Sequence, residues 1–247
     1  MTYGVITITR NAEQTILRTI ESVLSQDAPP SQYVLVDGGS RDTTCDIIDA
    51  KIAAAREQNL PTRVWLEKQQ KPQGGIPAAW NQGLAHLDCD IVSILNGDDW
   101  FEPGAAAWVL KTFQEQPDVE LLATAIRMHD PERQSVRVAR PRPFLLFPLL
   151  MPVMHPGCFV RRGVYDRVGD FDEHYRVSAD YDFVYRCRRA GISMRRFHVA
   201  PVNMQAGGMA GRNRRTARRE TREIALRHTR CKPLPWLAWA LRSLTGR

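Results

Sequence analysis

Asp98 and Asp99 are adjacent carboxylates that close an apolar run, Val92, Ile94 and Leu95, with only Asn96 and Gly97 between. Two like charges at the end of a buried strand repel each other and resist losing water. Such a pair suits a divalent cation, Mg2+ or Mn2+, which takes hard oxygen ligands and neutralises a diphosphate. The same Asn-Gly-Asp-Asp run is also good turn chemistry. Asp37 ends another apolar run in "VDGGSRD", where Gly38 and Gly39 permit a tight turn and close ligand approach. It reads as a base or ribose contact, or as part of a well-formed turn capped by Ser40. Lys71 suits a diphosphate, and Asn81 follows the Gly74-Gly75 loop beside Trp80, which reads as a core residue. His155 reads equally as an acceptor contact or a packed polar residue, and His198 as a further metal ligand or a structural histidine. No G-x-G-x-x-G follows a strand and no Walker loop occurs, so dinucleotide and P-loop readings lack their motif.

The elements that must carry these groups alternate. "YGVITITR" is a strand, with Asn11 placed to cap a helix through Ile16, Ile20 and Val23. "SQYVLVDGGS" repeats the plan ahead of a helix through Ile47, Ile48 and Ile52. "TRVWLEK" is a third strand before a helix over 77–87 that Pro77 can start, and "CDIVSILNGDD" is a fourth, with Pro103 opening the next helix. Alternation of this kind predicts an α/β fold with a doubly wound, mostly parallel sheet, whose ligands bind outside the carboxyl ends of its strands. Thr7, Thr9, Arg10, Asp37, Lys71, Asp98 and Asp99 would gather at that edge. From about residue 121 the pattern loosens. "LLATAIRMHD" is a strand, "RPRPFLLFPLLMPVMHPGCFVRR" a proline-broken apolar segment leading into another, and "SADYDFVYRCRRAG" a capped helix closed by Gly191.

The 247 residues, 43% hydrophobic and 25% charged, fit an ordinary globular protein with a sizeable core. Five scattered cysteines without a C-x-x-C pair indicate neither a zinc site nor a disulfide framework, and fit reduced thiols in the cytoplasm. The N-terminus does not read as a signal peptide, and no apolar run reaches the ~18–20 residues that span a bilayer.

"VITITRNAEQTILRTIESVLSQ", "VLVDGGSRDTT", "GIPAAWNQGLAHLDCDIVSILNGDDWFEPGA" and "HPGCFVRRGVYDRVGDFDEHYRVSADYDFVYRCRRAG" resemble, in order, the landmarks of family 2 glycosyltransferases. The resemblance covers about residues 3 to 191 and is nearest to bacterial members that build cell-surface polysaccharides. It implies the GT-A fold, a nucleotide-diphosphate sugar donor and a divalent metal. Asp37 then matches the carboxylate that contacts the base. Asp98 and Asp99 match the last two places of a D-x-D-type motif whose first place is Gly97 here: Asp98 toward ribose or phosphate, Asp99 toward metal. Asp180 matches the catalytic base of inverting members, with Asp182 in reserve because the usual Glu-Asp pair is Ala179-Asp180. An acceptor hydroxyl is a poor nucleophile until a positioned carboxylate takes its proton. On a helix the two acids lie about 200° apart, so one of them faces the site. The expected division is a GT-A domain over 1–211, with a nucleotide-sugar half to about 120 and an acceptor half beyond, followed by a basic tail over 212–247.

That tail holds 11 Arg/Lys and 2 Asp/Glu, a net of +9, against −2 for residues 1–211. It combines an arginine-rich helical run with a short apolar piece bearing Trp236 and Trp239, too short to span a membrane. Its expected partner is an anionic membrane surface, at the cytoplasmic face, rather than nucleic acid; the alternatives are a solvated helix face and a tail folded back on the body or on a second subunit. The expected activity is inverting transfer, from a UDP-α-sugar to a β-linkage, onto a saccharide or lipid-linked saccharide. The rivals are a sugar nucleotidyltransferase, whose Gly-rich loop is replaced here by "TRNAEQ", and an inactive nucleotide-sugar-binding scaffold.

Overall fold

All seven residues of Tyr3–Thr9 (β1) are buried, as a strand covered on both faces requires. The computed structural model that shows this describes residues 1–208, 213–229 and 233–245. On either side of β1 lie Gln32–Asp37 (β2) and Ile91–Asn96 (β4), with Arg63–Lys68 (β3) outside β2, all parallel. Alternate side chains separate two cores. Ile6, Ile8, Val34, Val36, Val92 and Ile94 face one way, Val5, Tyr33, Leu35, Ile91 and Leu95 the other.

Helices Ile16–Leu24 (α1), Thr44–Glu57 (α2) and Gly75–Ala85 (α3) form the crossovers between these strands. Trp100–Phe101 (β5) and Ala105–Glu115 (α4) follow, then a hairpin of Leu121–Asp130 (β6) and Ser135–Ala139 (β7). Cys158–Arg161 (β8) runs antiparallel between β4 and β6. After Arg162–Val168 (α5) and Ala179–Arg189 (α6), Met194–Gln205 (β9) returns parallel to β6 and pairs antiparallel with β5. The result is a mixed α/β molecule whose nine-stranded sheet runs β3-β2-β1-β4-β8-β6-β9-β5, with β7 on β6. Its parallel strands end in register: Thr9 beside Asp37, Asp37 beside Lys68, and Ile8 beside Asn96.

Two caps differ from expectation. Asn11 does not begin α1; it takes a left-handed φ of 51° and its side chain accepts from the Arg41 N–H, tying two βα loops together. Ser40 likewise donates to Asp37 instead of capping α2, which starts at Thr44. Helix α3 starts two residues before Pro77.

The larger difference lies in the tail, although Gly211 at its expected boundary and Cys231 within it lie outside the described residues. Arg214–His228 (α7) is packed on the body, with Glu220, Ile224 and Ala225 buried as one stripe. Pro233–Thr245 (α8) folds back in turn, because the Arg222 guanidinium sits 4.5 and 4.8 Å from the rings of Trp236 and Trp239. The alternative of a tail folded on the body therefore describes α7. Among the described residues no helix is long and apolar enough to cross a membrane.

Candidate active site

The turn after β4 is built by α1. Three residues on one stretch of that helix satisfy three consecutive carbonyls: Thr15 Oγ1 donates to Gly97 O (2.7 Å), Arg18 to Asp98 O (3.3 Å) and Thr19 Oγ1 to Asp99 O (2.7 Å). Gly97 is required by this closeness. A Cβ there would meet Thr9 Oγ1 at 2.8 Å, so the first place of the acidic motif has no room for a side chain unless Thr9 shifts.

Asp99 is 1% exposed, and its carboxylate accepts from Asn96 Nδ2 (3.0 Å) and the Gln205 N–H at the end of β9 (3.2 Å). Burial, then the neighbouring Asp98 charge, push its carboxyl well above the usual carboxylate range, against those hydrogen bonds. A group in that state ionises when a cation is supplied. Arg18 stands nearby, its guanidinium 3.5 Å from the Trp100 ring centre and donating to Gln205 Oε1 (3.3 Å). Among the described residues no three His, Cys, Asp or Glu side chains converge on one point. His198 lies exposed on β9, where the strand bulges between Phe197 and Val202, and does not form such a cluster with Asp98 and Asp99. The two carboxylates fit Mg2+ or Mn2+ when a diphosphate and water complete the coordination.

Along the same edge, Asp37 is buried and accepts from the Gly39 and Ser40 N–H groups (2.9 Å each) and from Ser40 Oγ (2.5 Å). Both of its oxygens thus hold the turn. Arg10 and Lys71 are exposed at the mouth of the strands, and Thr9 Oγ1 is buried there without a hydrogen-bond partner. Two sequence candidates point elsewhere. Thr7 is fully buried, its hydroxyl 3.0 Å from Tyr33 Oη inside the second core. Asn81 exchanges two 2.9 Å hydrogen bonds with the Phe171 backbone, so its amide fastens that loop and leaves nothing for a ligand to claim cheaply. His155 packs 4.4 Å from the Trp80 ring, and burial lowers it to about 4, which keeps the ring neutral.

Helix α6 separates the two remaining acids as helical geometry requires. Asp182 faces inward, 1% exposed at its side chain, with Arg186 Nε at 2.6 Å and His228 Nε2 at 3.0 Å. Burial alone would raise it, but hydrogen bonds from His228 and Arg186, and then their charges, hold it below the ordinary range. As the reserve base it has both oxygens already engaged, one by Arg186 and the other by His228. Asp180 lies on the other side, half-buried and close enough to Cys158 for its charge to raise that thiol. Cys158 opens β8, which runs antiparallel to β4 and so begins near that strand's carboxyl end. Burial first, and the Glu220 charge in addition, raise Asp180 to about 6, opposed by hydrogen bonds from its own and the Tyr181 N–H.

Arg18, Gln205 and Glu220 were missed in the sequence. The only signal for Arg18 was helical spacing, which places it between the two threonines that grip the acidic turn. Gln205 and Glu220 lie 106 and 40 residues from the acids they serve, beyond any local pattern.

The model of glycosyl transferase family 2 matches residues 4–169. A PGL/p-HBAD biosynthesis glycosyltransferase of Mycobacterium tuberculosis is 28% identical over 213 residues, 84% of this chain and 78% of its own. Staphylococcus aureus TarS in complex with UDP-GlcNAc superposes with a TM-score of 0.67 at 17% identity, covering 98% of this chain and 71% of its own. A mannosyltransferase from Pyrobaculum calidifontis in complex with GDP-Man and Mn2+ gives 0.66 at 18% identity, covering 99% and 76%.

Proposed function

The chain belongs to glycosyl transferase family 2, and from that premise we propose an inverting, metal-assisted transfer of a sugar from a UDP-sugar to a hydroxyl of a saccharide or lipid-linked saccharide. The observation that supports this reading is a pair of carboxyls raised by burial on separate elements, Asp99 in the turn after β4 and Asp180 in the first turn of α6. Asp98 and Asp99 would hold Mg2+ or Mn2+, which supplies positive charge to the leaving diphosphate. Arg10 and Lys71 add mobile cations at the mouth, and Asp37 keeps the β2 turn shaped for the base. Asp180 takes the acceptor proton. With its ordinary value raised to about 6, it is mostly ionised at neutral pH yet basic enough for transfer. Attack opposite the departing diphosphate inverts the anomeric centre, so an α-linked donor gives a β-product. UDP is favoured by the TarS complex, while the GDP-Man complex of the mannosyltransferase marks the alternative base.

The metal assignment is tested by titration calorimetry of UDP with and without Mn2+. Wild-type protein should bind UDP at least tenfold more tightly with Mn2+, because neither two carboxylates nor a diphosphate alone fills the coordination sphere. Asp99→Ala should lose that enhancement while its circular dichroism stays unchanged. A variant that still gains from Mn2+ removes Asp99 as a ligand.

We place the protein on the anionic face of a membrane through its C-terminal helices. Trp236 and Leu237 are 49% and 57% exposed on α8, and Arg214, Arg215 and Arg219 are exposed on α7. Three such arginines contribute about 3 kcal/mol near an anionic surface at low salt. Co-sedimentation with vesicles containing phosphatidylserine should exceed that with neutral vesicles by about a hundredfold, and fall at 1 M salt. Equal binding to both vesicles refutes the placement.

A further inference from the structure

The geometry points to Glu220, on α7 beyond the matched family region, as a positioning residue for the Asp180 carboxylate, so that α7 is a working part of the catalytic centre. The proposal rests on Asp180 as the base. Glu220 is 3% exposed, and its carboxylate accepts three consecutive backbone N–H groups: Arg176 at 3.0 Å, Val177 at 2.9 Å and Ser178 at 2.9 Å. Those residues lead directly into α6, where Asp180 is the second residue. The N-terminus of a helix leaves N–H groups without intrahelical partners, and a serine at Ser178 would ordinarily cap them with its own side chain. Here Ser178 makes no such cap, and its hydroxyl donates instead to Ala217 O of α7 (3.4 Å). A carboxylate from another helix instead holds the three residues that lead into α6, while the Tyr181 N–H in the first turn is taken by Asp180 itself (2.8 Å).

Two consequences reach Asp180. The entry into α6 is held at three points, which fixes where the first turn and its carboxylate point. The Glu220 charge also adds to burial in raising Asp180, whose own charge in turn helps raise the buried Cys158 thiol. Further along, α7 runs beside α6 in the same direction: His228 meets Asp182 at 3.0 Å, and Arg189 donates to His228 O at 3.2 Å. Arg227 pairs with Asp172 at 3.3 Å on the approach to α6. The basic character of this segment therefore hides a buried acid whose partners all lie at the catalytic helix.

The test uses the full chain with Glu220→Gln and Glu220→Asp, read by NMR so that neither sugar nor acceptor need be known. In the Gln variant only one oxygen remains to accept, so exchange of the 176–178 amides should quicken about tenfold. The Asp180 carboxyl titration should also fall below about 6, by a smaller step than burial contributes, because burial is the larger cause of its rise. Glu220→Asp keeps the charge and should hold that titration near 6, which separates the carboxylate's effect from general loosening. Once a donor and acceptor are in hand, the Gln variant should lose about tenfold in kcat at unchanged donor KM, with its acid limb moved to lower pH. Unchanged amide exchange together with an unchanged Asp180 titration in Glu220→Gln overturns the proposal. A failure of Asp180 as the base would show separately, as normal turnover in an Asp180 variant with the NMR effects intact.

Discussion

Asp180→Asn is expected to lower turnover by about 10²–10⁴, the usual contribution of a general base, while donor binding stays within a factor of two. The asparagine keeps the shape of the residue and removes only its capacity to accept a proton. The same change should stabilise the fold. Asp180 is raised to about 6 by burial and by Glu220, so the folded state holds its proton more tightly than the unfolded chain, where an aspartate titrates near 3.9. Stability from this group is therefore present below about pH 4 and lost as pH rises through about 6. At pH 7 the ionised carboxylate costs the fold about 1–2 kcal/mol after allowance for its partial exposure. Removing it should raise the melting temperature by a few degrees. Steady-state kinetics and thermal unfolding measured together decide the matter. A residue that merely capped α6 would show the opposite pair of results, normal turnover and a lowered melting temperature.

Asp182→Asn is expected to act on stability instead, by about 3 kcal/mol. Removing one partner of a buried ion pair leaves the other charge without compensation and costs about 3–5 kcal/mol. The lower end applies because Arg186 retains the carbonyls of Val168, Gly169 and Asp170 at 2.7, 3.1 and 2.7 Å. In urea the midpoint should fall with little change in slope. The pH dependence runs opposite to that of Asp180. The folded Asp182 carboxyl lies below the ordinary range, so its contribution is complete above about pH 4 and is lost as pH falls through the folded value. The wild-type protein should therefore lose more stability in acid than the variant. A variant within about 0.5 kcal/mol of wild type would show that the ion pairs with Arg186 and His228 add nothing.

These two acids stand two positions apart in one helix, and their separation shows where reading the sequence stops. The 3.6-residue period already requires that they face opposite ways. Which of them meets solvent depends on what packs against each face, and that is supplied by His228, 46 residues away. The apolar runs of β1, β2 and β4, alternating with helices, were sufficient for a parallel sheet whose strand ends gather Thr9, Asp37 and the Asp98-Asp99 pair, because strand burial and crossover handedness follow from local pattern. The family's ordered motifs were legible for the same reason, being short runs at strand ends.

Side chains that serve both backbone and chemistry escaped that reading. Asn81 sits in a plausible place for a ligand contact, and only the Phe171 loop, 90 residues away, shows that its amide is already engaged. Thr7 differs from Thr9 by one pleat on the same strand, yet the first is bonded to Tyr33 and the second is buried at the site without a partner. The charge of the last 36 residues was visible as a sum, but a sum does not say which residues are buried. Residue types and their local periods determined the sheet and the acids at the ends of its parallel strands. Tertiary structure alone decided which acids are tied up by partners, and it made one buried glutamate within an arginine-rich helix the support of the turn leading to Asp180, because desolvation and hydrogen-bond partnership are properties of packing between segments distant in sequence.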